Sequence, residues 1–173
     1  MILGLDISST FTGYTILDEV GGIVECEAID LRRTKGLFNK ANVIKEVLIT
    51  LKRYEITEVF VEEALMNFKF GSTSASTLSL LHRFNGVICY IVNEIFAIDP
   101  VLINATRARG IVGIAVKKGE KAKINAFKHL TKTVPVFTFK LTPKGNPKPG
   151  TYDRSDSWVI ATAGFKLCQQ GSN

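Results

Sequence analysis

The stretch Ile2-Leu3-Gly4-Leu5-Asp6-Ile7-Ser8-Ser9-Thr10-Phe11-Thr12-Gly13-Tyr14 decides the fold. Residues 2–6 are an apolar run that ends on a carboxylate, and a turn of small polar residues follows. A charge closing an apolar strand is costly unless it is paired or binds a cation. Residues 13–18 form a second strand candidate, and Gly21-Gly22 makes a tight turn into a third over 23–31. Two strands joined by such a turn pair as an antiparallel hairpin, so the chain opens with a three-strand meander.

Working outward, Leu37, Ala41, Ile44, Leu48 and Leu51 recur at three-to-four spacing with lysines between them, which predicts an amphipathic helix over 37–53. Val59-Phe60-Val61 predicts a strand that ends at Glu62-Glu63. Residues 75–97 read as a long helix whose wide apolar stripe suits the core, a dimer interface, or both. Asp99-Pro100 breaks it before a buried-strand candidate at 101–103, and two short helices follow near 105–111 and 120–132. Residues 142–152 hold three prolines and two glycines without an apolar period, predicting a mobile basic loop. A last helix over 153–169 closes the chain. A meander followed by α/β crossovers predicts a mixed five-stranded sheet with parallel later strands and helices on both faces. That is the outline of the RNase H-like fold.

At 173 residues the chain suits one domain, with a core that needs no disulfide or structural metal. No apolar run reaches the ~18 to 20 residues that span a bilayer, and the opening residues lack the form of a signal peptide. Three scattered cysteines, Cys26, Cys89 and Cys168, fit reduced thiols and a cytoplasmic location. Only two histidines and no CxxC leave little for zinc. The formal charge of +6 favours a polyanionic partner. It concentrates in Arg107, Arg109, Lys117, Lys118, Lys121 and Lys123, opposed only by Glu120. Apolar residues interleave this run, so it reads as a docked segment that shows its charges outward.

The chemistry points to carboxylates. Asp6 and one of Glu62 and Glu63 end apolar strands; side chains alternate along a strand, so only one of those glutamates can face Asp6. If the two strands are neighbours, their ends lie about 5 Å apart, close enough to share an ion. Asp153 and Asp156 stand three apart at the start of the last helix and project from one face. Asp153 is equally readable as a helix cap. Convergence of these acids without His or Cys would make a hard, all-oxygen site for two Mg²⁺ ions, with Mn²⁺ as substitute. Two such ions suit phosphodiester hydrolysis.

Residues 2–14 resemble the first strand and turn of the RuvC-type Holliday junction resolvases, in which a catalytic Asp precedes a polar turn and a Thr-Gly pair. Val61-Glu62-Glu63-Ala64-Leu65 resembles the family's second motif and selects Glu62; Asp153-Arg154-Ser155-Asp156-Ser157 resembles its closing Asp-x-x-Asp helix. The resemblance implies catalytic and metal-binding roles for Asp6, Glu62, Asp153 and Asp156. It also implies a homodimer that nicks branched DNA, the four-way junction above all, at symmetric positions and leaves 5′-phosphate ends. Arg107 or Arg109, and Lys121 or Lys123, match basic residues that grip the backbone near the cut. Where the family places an aromatic shortly after the Glu, this chain has Leu65-Met66, with Phe68-Lys69-Phe70 a little later. Phe68 and Phe70 either stack on bases or anchor their loop in the core. Ser157 stands where the family commonly has Ala.

Three rival readings exist. A nuclease of the same fold could act on forks or RNA, since substrate choice lives in loops and dimer geometry. An actin-like ATPase shares the Leu-Gly-Leu-Asp turn but needs a second lobe. A non-catalytic junction binder would have no need of all four acids.

Overall fold

The computed structural model describes residues 1–64 and 75–171. Its strands are β1 (Ile2–Asp6), β2 (Phe11–Leu17), β3 (Ile23–Asp30), β4 (Glu58–Glu62) and β5 (Val101–Ile103). They form one sheet in the order β3-β2-β1-β4-β5. The first three pair antiparallel, and β4 and β5 join in parallel. The expected mixed five-stranded sheet is therefore present. β2 begins at Phe11, two residues before the run at 13–18 suggests, because Phe11 and Thr12 pair with Asp30 and Ile29. The ladder, rather than hydropathy, sets that boundary.

Helices α1 (Leu37–Thr50) and α2 (Ala75–Phe96) cover one face; α3 (Ala105–Val112), α4 (Ala122–Thr133) and α5 (Thr151–Gly171) cover the other. Alternation along the strands divides the core. Leu3, Leu5, Val59 and Val61 pack with Ile44, Leu48 and Ile88 on the first side. Ile2 and Phe60 pack with Trp158, Ile160 and Ala161 on the second. Asp6 and Glu62 are the next members of the Ile2 and Phe60 rows, so both face α5. Among the described residues, no helix is long and apolar enough to cross a membrane.

α5 lies across β1 and β2 at unusually short range. A Cβ on Gly4 would stand 2.6 Å from Ala161 Cβ and 2.7 Å from its Cα, and one on Gly13 would stand 2.5 Å from the Asp153 carbonyl carbon. Only hydrogen fits at either place. A buried hydroxyl pair, Thr15 Oγ1 to Ser157 Oγ at 2.8 Å, ties the helix to β2. Ser157, unremarkable in the sequence, is a pin between helix and sheet.

Two boundaries need correction. α5 starts at Thr151 rather than 153, so the segment expected as a loop over 142–152 ends inside a helix. Within that segment Thr142 N donates to Asn146 O at 2.7 Å, and Leu141 bridges Pro147. Lys148 N donates to Lys140 O at 2.9 Å. The prolines and glycines thus form a hydrogen-bonded turn, because proline removes donors without preventing the other residues from pairing.

Candidate active site

The carboxylates meet where the C-terminal ends of β1 and β4 approach the first turns of α5. Parallel pairing sets Leu5 opposite Val61, so Asp6 and Glu62 follow side by side. The alternation that left Glu62 and Glu63 open resolves to Glu62: its charge bears on Asp6, and the Glu63 amide instead donates to Ile103 O at 3.0 Å. Asn85 of α2 fixes the neighbouring backbone by donating to Glu62 O at 2.8 Å. Asn85 is a lone polar residue in the apolar stripe of α2, which is the signal that sequence reading passed over.

Asp156 enters from the second turn of α5 and Asp153 from the first. Asp153 makes no bond to the helix backbone; its partner is Lys123, with Nζ 3.7 Å from Asp153 Oδ1 and 3.4 Å from Asp156 Oδ2. It faces the cluster rather than capping its own helix.

Asp6 is 6% exposed and Asp156 8%. Burial, then the charges of Glu62 and Asp156, push the Asp6 carboxyl well above the usual carboxylate range. Glu62 and Asp156 are pushed up chiefly by burial as well, with Lys123 and Arg109 working in the other direction. Burial opposes the Lys123 ammonium, yet Asp6, Asp156 and Asp153 outweigh it and hold it charged.

Lys123 stands in the first turn of α4, where a cation opposes the helix dipole. That local penalty is offset by the acid cluster. α3 brings Arg109 near: Asn104 caps it by accepting from Thr106 N at 2.9 Å, and Lys166 of α5 donates to Ile111 O at its other end. Of the two pairs of basic candidates, Arg109 and Lys123 act on the carboxylates, while Arg107 and Lys121 are exposed. Lys117 and Lys118 are exposed in the turn between α3 and α4. Phe68, Lys69 and Phe70 lie outside the described residues.

The donors are all oxygen, which suits a hard divalent cation. One atom of the cluster is left over: Asp6 Oδ2 is buried and has no hydrogen-bond partner among the described residues, a costly arrangement that a cation would relieve. Among the described residues no three His, Cys, Asp or Glu side chains are drawn in around a single point. The positive charge among the acids is that of Lys123, whose side chain is 59% exposed.

No family model matches the sequence, and no curated protein is similar to it. Solved structures are similar. T. thermophilus RuvC in complex with Holliday junction substrate superposes with a TM-score of 0.67 at 13% identity, covering 99% of this chain and 96% of that one. A second Thermus thermophilus RuvC structure gives 0.65 at 15% identity over 98% and 96%. The yeast mitochondrial Holliday junction resolvase Ydc2 gives 0.61 at 12% identity over 98% and 79%. The chain has the fold of these resolvases along nearly its whole length.

Proposed function

We propose that this protein is a divalent-metal-dependent endonuclease that resolves four-way DNA junctions by paired nicks, acting as a homodimer. The observation that carries the reading is the convergence of Asp6, Glu62, Asp153 and Asp156 from three separate elements, with one buried oxygen of Asp6 unpartnered among the described residues. Burying this much like charge serves no folding purpose. The fold supports the junction as substrate, since similar structures are Holliday junction resolvases and one holds a junction substrate.

Asp6, Glu62, Asp153 and Asp156 would hold Mg²⁺ or Mn²⁺, which when bound supply an activated water and neutralise charge on the leaving oxygen. The chain's own residues do the rest. Asn85 holds the Glu62 backbone, and Thr15 with Ser157 fixes α5, so the acids keep their spacing. Arg109 and Lys123 stand beside the acids as counter-charges for a phosphate approaching them. Lys117, Lys118 and Lys121 extend that charge along the surface as backbone contacts. In the segment after Glu62, Phe68 and Phe70 would stack on bases beside Lys69.

Assembly as a pair is supported by an apolar groove between α1 and α2. Phe38, 74% exposed, and Tyr90, 69% exposed, flank a cavity of about 520 Å³ there. Such large side chains in water mark an interaction surface. A second copy would bring a second carboxylate cluster to the symmetric strand.

Substrate choice is tested by presenting four-way junctions, forks, linear duplexes and RNA–DNA hybrids with Mg²⁺ to the purified protein. The junction should be cut at least tenfold faster than the others, by a particle of twice the 19.0 kDa chain mass. Faster cleavage of hybrids or forks would transfer the reading to a different substrate of the same chemistry. A reading as a non-catalytic binder would be restored by binding without any cleavage.

A further inference from the structure

On the far side of α5 from the carboxylates lies a half-open cavity of about 540 Å³, and nothing in the mechanism uses it. Phe11, Phe139, Lys140 and Lys148 are among its lining residues. The two lysines are cross-strand neighbours in the turn that precedes α5, joined by the bond from Lys148 N to Lys140 O. Both are exposed, and neither ammonium has a carboxylate partner among the described residues.

The other charged groups are already engaged. Arg154 donates to Cys26 O at 2.7 Å and to Thr138 O at 3.1 Å, and its guanidinium lies 4.7 Å above the Phe137 ring. Glu27, the one acid lining the cavity, lies 3.8 Å from Arg154. Arg32 covers the Phe11 ring at 4.6 Å and is itself neutralised by two bonds to Asp30. The free charge of the cavity is therefore that of two lysines, in a lining whose Phe139 is 37% exposed.

Position gives this chemistry its meaning. Thr151 and Arg154 line the cavity, while Asp153 and Asp156 face the carboxylate cluster, so opposite sides of the same turns of α5 serve the two. A helix is about 10 Å across, so a strand lying over the acids reaches the cavity within a few nucleotides. Aromatic rings beside unpaired ammonium groups are the arrangement that takes a base and its phosphate.

We propose that this cavity receives one unpaired nucleotide of the DNA strand being cut, its base against Phe11 and Phe139 and its phosphate on Lys140 and Lys148. The proposal rests on the nuclease reading and names where the strand goes after it leaves the acids. It makes the prolines and glycines of the 142–150 turn a scaffold for two phosphate contacts. A duplex arm would not fit, because the cavity has the volume of a single small ligand.

The test uses the full chain with synthetic four-way junctions carrying 5-iododeoxyuridine at successive positions on either side of the cut, irradiated in EDTA. One or two positions within a few nucleotides of the cut should crosslink to the peptides containing Phe139 or Phe11. The Lys140→Ala/Lys148→Ala double variant alters only exposed side chains; its melting curve should match wild type. It should lose those crosslinks and bind the junction with a log-affinity against log-salt slope shallower by about 1.4, the value for two single-strand phosphates. Crosslinks confined to other surfaces, or an unchanged slope in a variant that still binds and cuts, overturn the cavity assignment alone. If wild type neither binds nor cuts branched DNA, the cavity assignment falls together with the nuclease reading.

Discussion

Asp6→Asn should abolish cleavage and, in EDTA, melt at a higher temperature than wild type. Two effects of opposite sign come from one carboxylate. Asp6 is buried beside Glu62 and Asp156, and its folded-state carboxyl is pushed well above the unfolded value. A group whose acid form is favoured by folding contributes fully only below the unfolded value, about pH 4, and that contribution is lost as the pH climbs to the raised folded value. At neutral pH the ionised cluster therefore strains the metal-free protein. An amide removes the charge and can donate to Glu62, so stability should rise by on the order of 1 kcal/mol. For a chain of this size that is about 2 to 4 °C. The gain should shrink as the pH of the melts is lowered and vanish only at about pH 3 or below, where Asp6 is protonated in both states. Cleavage should fall by about a thousandfold or more, since a lost metal ligand forfeits several kcal/mol of transition-state stabilisation. A variant that is inactive and also less stable at neutral pH would mean that Asp6 is a structural residue.

A large loss of folding stability should come from Gly4→Ala. The new methyl would stand 2.6 Å from Ala161 Cβ and 2.7 Å from Ala161 Cα, against the backbone of α5, which has no rotamer with which to yield. Helix or strand must shift, at a cost of about 3 kcal/mol or more. That is a large share of the 5 to 15 kcal/mol that holds a domain of ordinary stability. Thermal melts should show a drop of roughly 6 to 12 °C. Because α5 carries Asp153 and Asp156, cleavage measured well below the melting point should fall as well. Gly13→Ala presses on the Asp153 backbone carbonyl at least as hard and should lower both stability and cleavage by a similar amount. Full activity in either variant would contradict the tight seating of α5.

Much of this was legible before any coordinates. The apolar run ending on Asp6 and the strand ending on Glu62 are periodicity-two signals, and the register that sets them side by side follows from parallel pairing. The acids of α5 are legible in their spacing, although spacing reads Asp153 equally as a cap and only its pairing with Lys123 decides. What stayed hidden is tertiary. Nothing local says that Gly4 and Gly13 lie beneath a helix more than a hundred residues away, or that Thr15 meets Ser157. Arg154 sits between two candidate ligands, yet it serves to tie α5 to β3 and to the Phe137 segment. The choice of Arg109 over Arg107, and of Lys123 over Lys121, depends on how α3 and α4 rotate against α5. A lysine in the first turn of α4, against the dipole, was a clue of the right kind.

The central claim is that the acids facing α5, and not their neighbours, carry out metal-dependent strand cleavage. Adjacent residues on one strand offer the most direct measurement: single-turnover cleavage of a four-way junction with Mg²⁺ by wild type, Glu62→Gln and Glu63→Gln. Glu62→Gln should bind the junction as wild type does and cut it at least a hundredfold more slowly, whereas Glu63→Gln should cut at close to the wild-type rate. Equal activity in the two variants, or the reverse order, would contradict the account.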